Sequence, residues 1–214
     1  MAWIKDIIST STGKKFLMAI SGLFLIVFLF VHLAGNLLIL KNDNGASFNS
    51  YSEALVHNPL IRIIEIFLVF GFFMHIYYAI ALTISNKSAR GNQYKVSIKA
   101  GSWFSRNMDK SGGIILAFLL LHIKSFFVKH RILGTNDSMY QSTIDLFHNP
   151  FFVVFYLFSM VLLAFHLLHG FQSTFQSLGL RHEKYSPIIK NMGYFFALLI
   201  PFGFAFIPLY VYFN

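Results

Sequence analysis

The sequence predicts an all-α membrane protein in which five helices cross the bilayer and form one domain over residues 1–214. Of its residues, 56% are hydrophobic and only 12% are charged, and the mean hydropathy is +0.63. A soluble domain of this length is more polar. The apolar residues fall into five segments of about 20 residues or more, the length that crosses a hydrocarbon core of about 30 Å.

The first three helices are predicted from the length of their apolar segments and from the polar stretches that separate them. The first apolar segment is too long for the core of a signal peptide, so we expect it to remain as a spanning helix. A polar outer loop at 41–60, with turn-forming residues at 42–45, separates it from the second helix. A basic loop at 86–111 precedes the third helix, whose start is blurred by the aromatic residues at 103–104.

Proline marks the last two helices. Asn149 and Pro150 open the fourth helix, where proline is tolerated. Pro201 and Pro208 lie within the fifth helix and are expected to interrupt it. The predicted boundaries of the five helices are about 15–40, 61–85, 112–130, 150–176 and 191–213.

The distribution of positive charge predicts the orientation in the membrane. Twelve of the 17 Lys and Arg residues lie in the N-terminal arm, the loop 86–111 and the segment 181–190. The positive-inside rule therefore predicts a cytoplasmic N-terminus and an outer C-terminus, in the inner (cytoplasmic) membrane of a cell. The basic loop 86–111 either faces anionic lipid or docks a hydrophilic partner protein. Because cysteine is absent, disulfides, thiolate zinc sites and iron–sulfur ligation within the chain are excluded.

Four histidines, His32, His75, His122 and His166, lie inside four different apolar segments. A titratable ring in hydrocarbon is costly, so an intramembrane histidine is by default a functional-site hypothesis. At about 1.5 Å per residue, His32 and His122 lie about 10–14 Å below the outer surface. His75 and His166 lie about 16 Å above the inner surface. The sequence therefore predicts two pairs, each clamping one haem b iron, with two stacked haems forming an electron path across the membrane.

Further residues are candidates around the inner haem. His169 lies three residues after His166 on nearly the same face. It is either the inner ligand instead of His166 or a hydrogen-bond partner of a haem propionate. Ser105, Arg106 and Lys110 flank the third helix and either pair with propionates or serve only as positive-inside charges.

Acidic and histidine side chains near the outer surface form a second group. Glu65 lies close to Arg62, and we favour a structural ion pair over proton exchange with a quinone near the outer haem. His57 and Glu53 are further candidates for an outer quinone or proton path.

Glycines accompany the histidines along the helices. Gly22, Gly71 and Gly170 lie within about three turns of a predicted ligand. Glycine permits a haem plane to approach a helix closely. Small residues also serve plain helix–helix packing in membranes, and the sequence leaves both interpretations open.

Four segments resemble one known family. They are SGLFLIVFLFVHLAGN at 21–36, EIFLVFGFFMHIYYAI at 65–80, LLLHIKS at 119–125 and FHLLHGFQS at 165–173. The chain resembles the di-haem cytochrome b membrane anchor of succinate:menaquinone oxidoreductases and quinol:fumarate reductases, of the single-subunit, five-helix type. The resemblance covers nearly the whole chain, and it extends more weakly to SRNMDKSG at 105–112.

The resemblance implies a set of ligands, cofactors and partners. One histidine in each of the first four helices ligates haem, and these positions are His32, His75, His122 and His166. The family's last ligand precedes a glycine by four residues, which favours His166, with Gly170, over His169. The implied role is electron transfer in respiratory complex II, at the tricarboxylic acid cycle. The chain would not itself act on the dicarboxylate, but it would form the menaquinone site. A flavoprotein with covalent FAD and an iron–sulfur subunit would dock on the cytoplasmic side.

Two alternative functions remain. A cytochrome b of a hydrogenase or formate dehydrogenase is also bis-histidine, but its dehydrogenase partner normally docks outside, whereas the basic loops here are predicted inside. A transporter with a histidine relay is the other alternative. It would have broken helices and repeated halves, and no internal repeat is visible.

Overall fold

The computed structural model describes residues 10–89 and 106–214, and all the regular secondary structure in these ranges is helical. A 3₁₀ turn, Leu37–Leu40, extends the first helix, and a nine-residue π-helix, Lys124–Ile132, extends the fourth. The helices are α1 (Ser11–Asn36), α2 (Ala46–His57), α3 (Pro59–Ala89), α4 (Met108–Ile123), α5 (Met139–Phe147), α6 (Pro150–Ser177) and α7 (Ser186–Phe213). Helices α1, α3, α4, α6 and α7, with these extensions, are long and apolar enough to cross a membrane. The predicted all-α class and the five predicted spans are confirmed, whereas the direction of insertion stays a prediction.

Polar caps mark the start of three spanning helices, and two of these, α1 and α3, begin earlier than hydropathy predicts. Thr10 caps α1 by accepting a hydrogen bond from a backbone N–H at 3.1 Å. Asn58 does the same at the start of α3, at 2.9 Å. Asn149 caps α6 at 3.0 Å, with Pro150 in the first turn as expected. A side-chain oxygen that satisfies an otherwise unpaired N–H sets the helix start, and hydropathy does not sense it.

The expected interruption of the fifth helix is not a break. Helix α7 continues through both Pro201 and Pro208, and both prolines are buried. Proline removes one backbone hydrogen bond, but helix packing in membranes tolerates this loss. Helix α7 packs antiparallel to α6 over much of its length, with the Phe171 ring 5.7 Å from that of Phe196.

Three helices form the packed centre of the bundle and two lie at its edge. Helices α1, α6 and α7 contact one another, and 28–33% of the residues in their apolar windows are buried. Helix α3 packs mainly on α1, and α4 packs mainly on α6. Only 11% of the α3 window and 6% of the α4 window are buried, and these two helices touch each other little.

The two short helices cover one end of the bundle, which we call the capped end. Neither helix was expected from hydropathy, which predicts a polar outer loop over 41–60. Asn49 of α2 accepts a hydrogen bond from the backbone N–H of Tyr140 of α5 at 3.0 Å. Phe48 and Phe147 are buried beneath them. The predicted turn at 42–45 is confirmed, with Asn44 and Gly45 at positive φ. The capped end corresponds to the predicted outer side.

Candidate functional site

The four intramembrane histidines approach each other as two pairs across the bundle. The ring centroids of His32 and His122 are 5.9 Å apart, and the rings are inclined at 83°. Those of His75 and His166 are 6.2 Å apart, at 66°. Each pair joins two different helices, and the pairs are those that the depth estimates predict. The role of the four residues as ligands stays a prediction.

Contacts on two helices give the separation between the pairs. On α6, Tyr156 contacts His122 and lies ten residues before His166, so the pairs are about 15 Å apart along the bundle. On α1, Ser21 contacts His75 and lies eleven residues before His32, which gives about 16 Å. The two estimates agree, so the sites lie at different depths, with the His32/His122 pair nearer the capped end.

The spacing within each pair fits two imidazoles on one iron. An imidazole nitrogen binds a metal at about 2 Å, so two rings on opposite sides of one iron have centroids about 6 Å apart. Both observed spacings match this value. The donor set also fits, because bis-histidine ligation is an ordinary way of holding haem iron within a helical bundle.

The Ser21 hydroxyl favours a proton on Nδ1 of His75. The Ser21 hydroxyl donates its only hydrogen to the Met18 carbonyl, at 3.0 Å, and lies 3.3 Å from His75 Nδ1. The hydroxyl must therefore accept from His75, so Nδ1 bears the hydrogen. The lone pair of Nε2 is then available to bind a metal. Ser21 is buried, so this arrangement is shielded from competing water.

His122 and His32 are held by aromatic rings as well as by polar groups. His122 Nδ1 lies 3.2 Å from the Tyr156 hydroxyl, and the ring of Phe118 stacks on His122 at 5.8 Å. Phe28 stacks on His32 at 5.1 Å. The side-chain amide nitrogen of Asn36 donates to the His32 backbone carbonyl at 2.8 Å. That amide nitrogen lies 3.3 Å from Nδ1 and 3.5 Å from Nε2, so it favours neither ring nitrogen strongly.

The fourth ligand candidate, His166, has a buried ring nitrogen without a partner. Its Nδ1 makes no hydrogen bond to any of the described residues. A buried polar atom without a partner costs about 1–3 kcal/mol. The His166 ring that carries this unpaired nitrogen has its centroid 6.2 Å from that of His75. A buried nitrogen without a partner at this position indicates a site for a bound group.

Glycines line the His75/His166 pair from two sides. A Cβ atom added at Gly22 would lie 3.4 Å from Cε1 of His75, and one at Gly112 would lie 3.7 Å from Cε1 of His166. Gly112 was not among the predicted site residues, because its helix rotation cannot be read from sequence. At Gly71 a Cβ would meet the Phe24 ring at 2.9 Å, so this glycine serves helix packing. Gly170 faces open space.

No family model, no curated protein and no solved structure matches this chain. The likeness to the di-haem anchor family therefore rests on the four histidine segments and stays a prediction. The geometry of the two pairs does not depend on that likeness, because it follows from the ring positions alone.

The remaining candidates for the inner haem lie toward the end of the bundle opposite the capped end. His169 is half-buried, one turn beyond His166 on α6. Arg106 and Lys110 are exposed at the start of α4. Ser105 lies outside the described residues. In addition, Lys87 forms an ion pair with Asp109 at 3.0 Å, which connects the ends of α3 and α4.

The acidic candidates near the capped end do not converge on the histidines. Arg62 pairs with Glu65 through one nitrogen and donates to the Val56 carbonyl through another at 3.0 Å. The structural ion pair favoured from the sequence is therefore present. Glu53 and His57 are exposed on α2.

Proposed function

We propose that this chain is the di-haem cytochrome b membrane anchor of a succinate:menaquinone oxidoreductase or quinol:fumarate reductase. The observation that carries the proposal is the pairing of four intramembrane histidines from four helices, with ring centroids 5.9 and 6.2 Å apart. Two sites about 15 Å apart in depth suit electron transfer along the bundle. A single structural histidine pair would not require this arrangement.

The side chains around the pairs have separate tasks in this proposal. His32 and His122 hold one haem, and His75 and His166 hold the other, each through a neutral ring nitrogen. Ser21 orients His75, and Tyr156 orients His122. When bound, haem supplies reversible one-electron transfer, and the apolar helices around it exclude water and tune its potential.

The two ends of the bundle are assigned to different partners. A flavoprotein with FAD and an iron–sulfur subunit dock at the cytoplasmic end, close to the His75/His166 pair. The chain has no cysteine, so the iron–sulfur clusters belong to the partner. Basic residues support docking at this end, among them Lys110 and the Arg106 guanidinium. Menaquinone reacts at the capped end, near the His32/His122 pair, in the inner membrane.

The transporter alternative receives less support from the helices. Each of the five spans is continuous over its described residues, ending in a 3₁₀ turn in one case and a π-helix in another. Binding sites of transporters with inverted repeats are typically formed by helices that break near the membrane centre. The four histidines instead lie within unbroken helical segments.

Haem content tests the proposal directly. The full chain is produced with added haem precursor, and a dithionite-reduced minus oxidised spectrum is recorded with haem quantified per polypeptide. We expect two low-spin b haems. His75→Ala and His166→Ala should each remove one haem, and His32→Ala and His122→Ala should remove the other. His148→Ala, at an exposed histidine, is the matched control. A wild-type chain without haem would contradict the proposal.

The choice of electron donor tests the identity of the complex. In membranes that contain the chain with its native partners, succinate should reduce the haems. Reduction by formate or hydrogen but not by succinate would support the alternative cytochrome b families. Loss of succinate-dependent reduction in His75→Ala would assign the entry of electrons to the site nearer the cytoplasmic subunits.

A further inference from the structure

The capped end contains a polar network that the haem proposal does not use. The Lys129 ammonium donates to the Ser142 hydroxyl at 2.9 Å and pairs with the Asp137 carboxylate at 2.8 Å. His130 Nε2 lies 2.9 Å from the same hydroxyl. Four polar side chains from the end of the α4 span, the following loop and α5 are thereby connected in one chain of contacts.

The π-helix after α4 explains how His130 reaches this network. The Leu133 N–H bonds to the Val128 carbonyl, five residues back, at 3.0 Å. An unbroken α-helix turns by about 100° per residue. Viewed along the axis of such a helix, the directions of His130 and His122 would differ by about 80°. A π-helix turns by roughly 80° per residue, which leaves His130 within roughly 40° of the His122 direction. The π-helix therefore keeps His130 on the haem-facing side of the span.

Exposure decreases along the network from Asp137 to Ser142. The Asp137 side chain is 50% exposed and that of Lys129 is 32% exposed. Ser142 is only 6% exposed, and His130 is half-buried. The network thus leads from the aqueous surface at the capped end to a buried hydroxyl and then to an imidazole on the His122 side of the span.

The donors and acceptors allow a proton to move in either direction. Lysine has only donors, so Ser142 accepts from Lys129. The remaining hydrogen of the hydroxyl can be donated to neutral His130 at Nε2. The remaining lone pair can instead accept from protonated His130. A proton moves inward when Lys129 gives one to the hydroxyl, the hydroxyl passes its own hydrogen to His130, and the lysine amine is reprotonated from water. It moves outward when the neutral lysine amine accepts the hydrogen of the hydroxyl while the hydroxyl accepts one from protonated His130.

We propose that His130 and Ser142 form the path by which protons pass between the outer aqueous phase and menaquinone at the capped end. This inference rests on the proposed function. Reduction of the quinone to the quinol would take two electrons, delivered one at a time through a haem held by His32 and His122, and two protons through this path. Oxidation of the quinol returns the same electrons and protons by the same groups.

The other acidic and basic groups near this end are less suited to the task. Arg62 and Glu65 are committed to each other and to a backbone carbonyl. Glu53 and His57 are exposed to water and lie on α2. The charged groups that face His130 are Lys129 and Asp137. Arg131 is exposed, and the acid of α5, Asp145, accepts from Gln141 at 2.8 Å.

Reduction of the haem by menadiol (reduced 2-methyl-1,4-naphthoquinone) tests the path in the purified, haem-loaded full chain. The rate is followed by stopped-flow absorbance from pH 5 to 9. We expect His130→Gln and Ser142→Ala to slow reduction at least about tenfold, since a positioned proton-transfer group contributes that much or more. Their haem spectra should equal that of the wild type. Ser142→Thr, which retains a hydroxyl, should recover most of the rate lost in Ser142→Ala.

The control and the contrary outcomes separate the two proposals. His148→Gln, at an exposed histidine of the same end, should react like the wild type. Unchanged rates and pH profiles in both His130→Gln and Ser142→Ala, with haem present, would overturn the proton path alone. If His130→Gln loses its haem, the rates of haem reduction in Ser142→Ala and Ser142→Thr decide whether the proton path exists. A wild-type chain that binds no haem, or binds haem that menadiol does not reduce, would overturn both proposals.

Discussion

The hydroxyl of Ser21, on α1, lies 3.3 Å from Nδ1 of His75, on α3, and donates its own hydrogen to the Met18 carbonyl. This contact crosses the interface of two helices and favours one tautomer of a predicted ligand. An imidazole whose Nδ1–H is bound to an acceptor is a more basic ligand through Nε2. Under the proposed function, Ser21 therefore acts on the haem through His75, as a positioning residue.

Replacing Ser21 should change the potential of one haem and leave the other unaffected. In Ser21→Ala the His75 ring loses the hydroxyl and keeps only the Met18 carbonyl as a nearby acceptor, so under the proposed function it would donate less electron density to ferric iron. We expect the midpoint potential of the haem at the His75/His166 pair to rise by an amount on the order of tens of mV. A spectroscopic redox titration measures both haems. Ser21→Thr, which keeps the hydroxyl, is the control, and identical titrations for Ser21→Ala and wild type would exclude this role.

A large side chain at Gly112 should block one haem site. Gly112→Leu places new atoms against the His166 ring, since even a Cβ lies within 3.7 Å of it. We expect loss of the haem at the His75/His166 pair and retention of the other. The matched control is Gly113→Leu, because Gly113 is exposed and its Cβ would meet nothing within 4 Å. Equal haem content in the two variants would contradict this placement of Gly112.

Gly45 should be the more sensitive of two glycines with positive φ. At Gly45 φ is +81°, and an added Cβ would lie 2.1 Å from the Tyr140 ring. At Gly134 φ is +63°, and an added Cβ would meet nothing. We expect Gly134→Ala to carry only the backbone cost, about 1–2 kcal/mol. Gly45→Ala should cost about 1–3 kcal/mol more, since the two capping helices must separate. Thermal unfolding in detergent compares the variants, and equal losses would mean that the cap adapts freely.

The ion pair of Asp137 should make the capped end less stable in acid. The Lys129 ammonium lowers the pKa of the Asp137 carboxyl below its ordinary value of 3.8. A carboxyl with a lowered pKa in the folded state stabilises the fold above its unfolded pKa. This stabilisation is lost as pH falls through the folded pKa. The melting temperatures of wild type and Asp137→Asn should therefore differ near neutral pH and converge as the pH falls below the folded pKa of Asp137.

High salt provides an independent check on the same ion pair. The Asp137 side chain is half exposed, so 1 M salt should reduce the difference between wild type and Asp137→Asn. A difference that persists unchanged in acid and in salt would have to come from the geometry of the loop and not from charge.

Hydropathy and residue depth were sufficient for the spans and for the pairing in space of the four histidines. They were insufficient for α2 and α5, of 12 and 9 residues. Helices this short depend on tertiary contacts, such as that between Asn49 and Tyr140, and carry little signal of their own. Asp43 and Gly45 were correctly predicted to lie in a turn, because turn residues act locally.

The groups around the histidines could not be predicted for a different reason. Ser21, Tyr156 and Gly112 contact histidines on other helices, and such contacts depend on the rotation of each helix about its axis. The π-helix had no recognisable sequence signal, and it changes that rotation for every residue after Lys124. The contact of His130 with Ser142 depends on this rotation, so it could not be predicted from the sequence.

Because α3 and α4 are little buried in the bundle, the two histidine pairs also bear on how these helices are held in place. Each pair joins one central helix to one edge helix: α1 to α4 through His32 and His122, and α6 to α3 through His166 and His75. Under the proposed function, each iron is a cross-link that fastens an edge helix to a core of α1, α6 and α7. Assembly of the protein and supply of the cofactor would then be coupled, since binding free energy becomes folding free energy. In a cell short of haem, α3 and α4 would lack these cross-links, and the chain would be more susceptible to membrane proteases.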